Sequence, residues 1–188
     1  MSNKPKTNRQ GDTKKSNKYD RCGTPHYALD PLLPYIPQHW LIWEPAAGDG
    51  QICDKLMMEG YNVFSSDILT GRNFFDWQPN QWHCQITNPP YSTKYPWLAR
   101  SYDLQKPFAL LLPLEALAAG RDAQPLFKRY GIEIIVLNKR VNFNMPDAGY
   151  TGGGAQFPVA WFTWGLNIGS PLTFGCIKYY EDGQMNLL

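Results

Sequence analysis

The chain has 188 residues, 43% of them hydrophobic, and a formal net charge of +2. This length fits one domain with a full-sized core. No apolar run is long enough to span a bilayer, and the first residues lack the apolar segment of a signal peptide. We therefore expect no membrane partner and a cytoplasmic location.

The four cysteines are scattered, with neither a Cys-x-x-Cys pair nor a nearby histidine at a zinc-binding spacing. This pattern predicts reduced thiols and no bound metal.

Charge is unevenly distributed along the chain. Residues 1–21 carry seven Lys or Arg residues and two Asp residues, a net charge of +5, which leaves −3 for the rest. Two interpretations stay open for this basic segment: an arm that contacts nucleic-acid phosphates, or a merely solvated tail. We divide the chain into a basic, disordered arm over residues 1–20 and a single domain over residues 21–188.

The ordered part is predicted to begin with a helix over residues 24–33. Thr24 can cap this helix, Pro25 suits its first position, and Pro34 and Pro37 end it. Predicted strands and helices then alternate. The strands cover residues 40–43, 61–65, 83–87, 108–112, 132–137 and 159–164, and the helical segments cover residues 52–58, 95–101 and 114–130, the last with breaks at Gly120 and Pro125.

This alternation predicts an α/β fold with a mostly parallel, doubly wound sheet. Residues 140–164, with three glycines at 152–154, predict a C-terminal antiparallel hairpin that closes the sheet, and residues 172–180 are compatible with an edge strand.

A glycine-rich turn follows the first predicted strand. Residues 44–50 read Glu-Pro-Ala-Ala-Gly-Asp-Gly, and the second strand ends at Ser66-Asp67, where an acidic side chain can accept both hydroxyls of a ribose. Cys53 replaces the third glycine of a dinucleotide fingerprint, which argues against a pyrophosphate. Glu44 favours a cationic ligand, and S-adenosyl-L-methionine, with its sulfonium and ammonium charges, fits this description. A tight turn without a ligand is the alternative.

The third predicted strand ends at Asn88-Pro89-Pro90-Tyr91. An amide, two prolines and an aromatic residue form a rigid turn that presents hydrogen-bond acceptors beside a flat ring. Such a turn suits a planar group that carries an NH2, and a proline-stiffened loop is the structural alternative.

Four motifs together resemble the DNA adenine-N6 methyltransferases over about residues 19–165: Thr24-Pro25, residues 44–50, Ser66-Asp67-Ile68, and Thr-Asn-Pro-Pro-Tyr-Ser at residues 87–92. Their order is similar to the gamma arrangement, in which the Thr-Pro element comes first and the catalytic motif follows the glycine-rich turn. The resemblance implies a Rossmann-like class I methyltransferase fold for residues 21–188 and S-adenosyl-L-methionine as cofactor.

The resemblance also implies DNA, or possibly RNA, as partner, and a monomer or weak dimer in a bacterial or phage-infected cell. We expect a small phage-type or orphan enzyme without a separate recognition domain, and hence relaxed or short-site specificity.

The resemblance implies these cofactor-binding residues: Thr24, Glu44, Ala46, Gly48, Gly50, Asp67, Ile68, Asn73 and Phe74. Thr24 would bind the methionine carboxylate, and Glu44 would line the sulfonium. Asp67 would hold the ribose hydroxyls, and Ile68 would pack on the cofactor adenine. Asn73 stands where the family usually has Asp, and its side-chain oxygen would accept a hydrogen bond from the cofactor's amino group.

The implied catalytic residues are Asn88, Pro89, Pro90 and Tyr91. The Asn88 side-chain oxygen and the Pro89 carbonyl would accept hydrogen bonds from the target NH2, which moves the nitrogen toward tetrahedral geometry. Tyr91 would stack on the flipped base, and Phe143 is the candidate for its other side. An ordinary core position is the alternative for Phe143.

The same chemistry fits cytosine N4, adenine in RNA or a glutamine amide in a protein, and a catalytically silent module that keeps the fold is a further alternative. Cytosine-C5 methylation is disfavoured because none of the four cysteines follows a proline.

Overall fold

The computed structural model describes residues 22–118, 120–143 and 157–175. The predicted basic arm, the glycines at 152–154 and the end of the predicted edge strand lie outside the described residues. The strands are β1 (Leu41–Glu44), β2 (Asn62–Ser65), β3 (Cys84–Thr87), β4 (Phe108–Pro113), β5 (Glu133–Leu137), β6 (Val159–Trp164) and β7 (Leu172–Gly175). The α-helices are α1 (Gln51–Met58), α2 (Lys94–Asp103) and α3 (Gln124–Tyr130).

Within the described residues the strands form one sheet in the order β2-β1-β3-β4-β6-β5-β7. The pairs β1–β2, β1–β3, β3–β4 and β5–β7 are parallel, whereas β6 runs antiparallel to both β4 and β5. The predicted α/β class, with a mostly parallel sheet and an antiparallel strand near the C-terminus, is confirmed.

The central strand β4 shows why the sheet is covered on both faces. All six of its residues are buried, and alternate side chains enter different clusters. Ala109 and Leu111 pack on the side of α1, while Phe108, Leu110 and Leu112 pack on the side of α2 and α3. Successive side chains of a strand point to opposite faces of the sheet, so a strand that is buried on both faces is apolar at every position.

The predicted helix over residues 24–33 is wrong. This segment forms 3-10 turns at His26–Ala28 and Leu33–Tyr35, and the cap position of the first turn is Pro25, without a side-chain cap. Proline at residues 31, 34 and 37 removes backbone donors and disfavours helical geometry in the preceding residue. The segment is anchored by the sheet instead, because Trp161 Nε1 donates to the Ala28 carbonyl at 2.7 Å.

Two further expectations need correction. The segment 114–130 divides into a 3-10 turn, Leu114–Ala118, and α3, and Pro125 lies in the first turn of α3, where its missing N–H costs nothing. Residues 140–143 form no strand, so the antiparallel partners of β6 are β4 and β5 rather than the predicted hairpin arm. Val141 and Phe143 are nevertheless buried.

Candidate active site

Three predicted site segments follow the carboxyl ends of neighbouring parallel strands. Glu44 is the last residue of β1, Ser66 and Asp67 follow β2, and Asn88 follows β3. Parallel strands place these ends at one edge of the sheet, which is where open α/β sheets bind ligands.

The glycine-rich loop between β1 and α1 has a backbone that favours glycine. Gly48 and Gly50 have φ angles of 50° and 85°, in the left-handed region. The Gly48 N–H donates to Asp67 Oδ2 at 3.0 Å, and the Ala47 N–H donates to the Ser66 carbonyl at 3.1 Å. The loops after β1 and β2 are thereby held together.

These two loops and α1 border a cavity of about 680 Å³. Its lining includes Gly48, Gly50 and Asp67, together with Cys53 and Met57 of α1. Burial raises the pKa of the Cys53 thiol to about 12, so this group stays protonated at neutral pH and is a poor nucleophile.

Glu44, the last residue of β1, is fully buried. Its Oε1 accepts a hydrogen bond from the Ala46 N–H at 2.9 Å, whereas Oε2 has no hydrogen-bond partner. Burial raises the pKa of this carboxyl to about 8, and the nearby Thr87 hydroxyl and the Ala46 N–H offset only part of that shift. A positively charged ligand would favour the ionised form.

Asn88 and Thr24 are in direct contact. Asn88 Nδ2 donates to Thr24 Oγ1 at 3.0 Å, and Thr24 is only 3% exposed. The other amide atom, Asn88 Oδ1, is buried without a hydrogen-bond partner. Instead of capping a helix, Thr24 therefore holds the amide, and the acceptor oxygen is left for another donor.

Tyr91 begins a 3-10 turn after the two prolines, and two phenylalanine rings meet it edge to face. The ring centroids of Phe143 and Phe157 lie 6.3 Å and 5.8 Å from that of Tyr91. Phe143 is 3% exposed, whereas Phe157 is 40% exposed. Burial raises the pKa of the Tyr91 hydroxyl well above its ordinary value, and this hydroxyl has no hydrogen-bond partner.

Six of the predicted cofactor-binding residues do not line the cavity: Thr24, Glu44, Ala46, Ile68, Asn73 and Phe74. Asn73 Oδ1 accepts a hydrogen bond from the Phe75 N–H at 3.1 Å, and the Phe74 ring stacks on Trp97 at a centroid distance of 3.9 Å. Ile68 is 66% exposed and directly follows Asp67. The cofactor roles of all the predicted residues, these three included, remain predictions.

Sequence reasoning missed Phe157 and Gln51. No spacing distinguishes Phe157 among nine phenylalanines, because its proximity to Tyr91 arises only from the fold. Gln51 is the first residue of α1 and follows the glycine-rich turn directly, which is the one signal that the sequence offers. Its buried Oε1 lacks a hydrogen-bond partner, and a Cβ at Gly23 would lie only 2.7 Å from that oxygen.

Buried polar atoms without hydrogen bonds are concentrated at this edge of the sheet. Those after β3 and at the start of α1 are Gln51 Oε1, Asn88 Oδ1 and Tyr91 Oη, whereas Glu44 Oε2 and Thr87 Oγ1 belong to two side chains that lie close enough for Thr87 to lower the Glu44 pKa. Each such atom costs about 1 to 3 kcal/mol if it stays unpaired. Their accumulation indicates a site whose ligands complete the hydrogen bonding.

Across residues 22–118, 120–143 and 157–175, no three His, Cys, Asp or Glu side chains are grouped so that they could hold a metal ion. In the same part of the chain, no helix has both the length and the apolar character needed to cross a membrane.

No protein-family model matches the sequence, and no curated protein matches it. Solved structures do match. The chain is 13% identical to a type I restriction-modification methyltransferase subunit from Streptococcus thermophilus, with a TM-score of 0.50 over 83% of this chain and 48% of that one. It is 10% identical to a dimethyladenosine transferase from Plasmodium falciparum, with a TM-score of 0.43 over 73% and 58% of the respective chains.

A third match is a putative RNA methyltransferase from Pyrococcus horikoshii, 10% identical, with a TM-score of 0.45 over 73% of this chain and 80% of that one. The chain spans about half the length of the Streptococcus and Plasmodium proteins. The likeness to the Streptococcus subunit, together with the sheet order, shows that this chain has a Rossmann-like methyltransferase fold.

Proposed function

We propose that this protein transfers a methyl group from S-adenosyl-L-methionine to the exocyclic N6 amino group of adenine in DNA. The observation that carries the proposal is the buried, unpartnered acceptor Asn88 Oδ1. It lies in an Asn-Pro-Pro-Tyr turn at the same sheet edge as Glu44.

Two carboxyl groups at this edge of the sheet fit the proposed cofactor: Asp67 lines the cavity, whereas Glu44 is fully buried and is not among the lining residues. The unpartnered Oε2 of Glu44 suits a cationic group, since that contact would satisfy a buried carboxyl oxygen. The Asp67 carboxylate accepts hydrogen bonds from the backbone N–H groups of Gly48 and Leu69. Its remaining lone pairs can accept hydrogen bonds from ribose hydroxyls. When bound, S-adenosyl-L-methionine supplies a methyl group on a positively charged sulfur.

The side chains that face the target would activate a weak nucleophile. An exocyclic amino nitrogen reacts poorly because its lone pair is delocalised into the ring. Hydrogen bonds from that NH2 to Asn88 Oδ1 and to the Pro89 carbonyl would withdraw the lone pair from the ring. The same two acceptors would offset the positive charge that grows on nitrogen while the N–C bond forms and the C–S bond of the cofactor breaks. The methylated nitrogen would then release one proton to water, so no strong general base is needed.

The aromatic side chains support a nucleobase as the target. Tyr91 follows Asn88 by three residues and contacts the exposed ring of Phe157. Stacking of an aromatic ring on a base contributes roughly 1 to 3 kcal/mol. A base in a duplex must leave the stack before it reaches such a site, at a cost of a few kcal/mol. The net charge of +5 in residues 1–21 suits a polyanionic partner.

The test is mass spectrometry of nucleosides after incubation with isotopically labelled S-adenosyl-L-methionine and either duplex DNA, single-stranded RNA or protein. We expect N6-methyladenine in DNA from the wild-type protein. Asn88→Ala should lower the rate about 100- to 1,000-fold, because it removes a preorganised transition-state contact. Asn88→Asp is the matched control, since a carboxylate keeps an acceptor oxygen at the same position.

Labelled N4-methylcytosine, N6-methyladenine confined to RNA, or methylated glutamine would each contradict the proposed substrate while preserving the chemistry. If calorimetry detected no binding of S-adenosyl-L-methionine, the protein would be a methyltransferase-fold binding module instead.

A further inference from the structure

The contact between Thr24 and Asn88 joins two segments that are 64 residues apart. Thr24 belongs to the N-terminal segment, which is fastened to the sheet through the Ala28 carbonyl and Trp161 Nε1. Thr24 is 3% exposed, so its hydroxyl contributes little to the surface. The contact with Asn88 is therefore the basis for inferring the role of Thr24.

An amide side chain has two faces of opposite character. The oxygen accepts hydrogen bonds, the nitrogen only donates them, and the two ends have nearly the same shape. A target NH2 is itself a donor. If the Asn88 amide were rotated by 180°, its own Nδ2 hydrogens would face the hydrogens of the target NH2, and no hydrogen bond could form. The Thr24 hydroxyl accepts from Nδ2 and thereby leaves Oδ1 as the free, buried end.

We propose that Thr24 is a positioning residue for methyl transfer: its hydroxyl accepts from Asn88 Nδ2 and thereby directs Asn88 Oδ1 toward the target amino group. This inference rests on the proposed function and adds a role to Thr24 that differs from binding the methionine carboxylate. The two roles are linked, because a hydroxyl that donates its proton to the methionine carboxylate can only accept from the amide, so Nδ2 then faces Thr24 and Oδ1 faces the target. They predict different kinetic consequences.

Thr24→Val removes the acceptor and keeps the shape of the side chain. We expect kcat for methylation to fall about 10- to 100-fold, because the amide then loses its fixed orientation in the transition state. Thr24→Val also removes the proposed contact to the methionine carboxylate, so we expect a weaker affinity for S-adenosyl-L-methionine as well, and kcat is therefore compared at saturating cofactor. Thr24→Ser keeps the hydroxyl and should restore most of the lost kcat.

A double-mutant cycle with Asn88→Asp separates orientation from general disruption. A carboxylate has two equivalent oxygens and needs no orientation, so Thr24→Val should lower kcat less than about threefold when Asn88→Asp is present. Equal losses in both backgrounds would overturn the inference. A loss confined to cofactor affinity would also overturn it and would leave only the carboxylate role.

NMR of the Asn88 side-chain amide provides a readout that does not depend on activity. One Nδ2 proton should be protected from solvent exchange in the wild-type protein and in Thr24→Ser, and unprotected in Thr24→Val. Unchanged protection in Thr24→Val would refute the contact. If the wild-type protein methylates none of the tested substrates, the proposed function fails, and this measurement still decides whether Thr24 orients the amide.

Discussion

The buried carboxyl group of Glu44 should make binding of the proposed cofactor dependent on pH. Because burial raises its pKa to about 8, about nine in ten molecules carry a protonated Glu44 at pH 7. A cationic ligand next to Oε2 favours the ionised carboxylate, so binding releases this proton. The affinity for S-adenosyl-L-methionine should therefore increase as the pH rises, and it should level off above the pKa.

The size of the effect follows from the ionised fraction. Between about pH 6 and pH 8 that fraction rises from roughly 1% to roughly 50%, which predicts an approximately 50-fold gain in affinity, or about 2.3 kcal/mol. The matched variant is Glu44→Gln, which has the same shape and cannot ionise. Its Oε1 can still accept from the Ala46 N–H, and its Nε2 can donate to Thr87 Oγ1, which has no hydrogen-bond partner.

Isothermal titration calorimetry in two buffers with different ionisation enthalpies measures both the affinity and the number of protons released. The ratio of the wild-type dissociation constant to that of Glu44→Gln should fall about 50-fold over this pH range. Taking the ratio cancels the titration of the ligand's own groups. A ratio that stays constant, with equal proton release by both proteins, would refute the reasoning.

The same carboxyl group affects folding without a ligand, and the sign is opposite. Its pKa is 4.5 in its ordinary environment and about 8 in the folded protein, so the unfolded chain loses the proton first. The contribution of Glu44 to the free energy of unfolding is thus largest below about pH 4.5 and declines as the pH rises toward about 8. Thermal unfolding of Glu44→Gln should lack this decline.

Five further substitutions, at four residues, test the remaining side chains of the site. Tyr91→Phe removes a buried hydroxyl that has no hydrogen-bond partner, so urea unfolding should show equal stability or a gain of up to about 1 kcal/mol. Tyr91→Ala should weaken DNA binding in a fluorescence titration by about 10-fold or more. Phe143→Ala should destabilise the fold by about 3 to 5 kcal/mol, because the ring is 3% exposed. Phe157→Ala should lower the free energy of unfolding by about 1 kcal/mol or less and should act mainly on KM for DNA. The reverse ranking in unfolding and kinetic assays would assign the base contact to Phe143. Asp67→Ala removes the acceptor for two backbone N–H groups and for the proposed ribose contact. Calorimetry should therefore show binding of S-adenosyl-L-methionine weakened about 10- to 100-fold. An unchanged affinity would exclude the ribose contact.

The strands and the glycine-rich turn were predictable because their signals are local. The run at residues 108–112 is apolar throughout, and the observed strand β4 differs from it by one residue. Gly48 and Gly50 were identified from the glycine-rich turn that follows the first predicted strand, and both adopt left-handed backbone angles. The helix predicted over residues 24–33 failed because capping and periodicity favoured a helix that the closely spaced prolines prevent.

The sequence by itself determined the α/β class and the order of the motifs, since strand periodicity, turn residues and motif spacing are properties of neighbouring residues. Only the tertiary structure decided which side chains meet. It brought Thr24 against Asn88 across 64 residues, placed Phe157 beside Tyr91, and held Asn73 in a local hydrogen bond away from the cavity wall. Such contacts depend on how the sheet aligns its strand ends and how the N-terminal segment packs on it, and no local pattern encodes either.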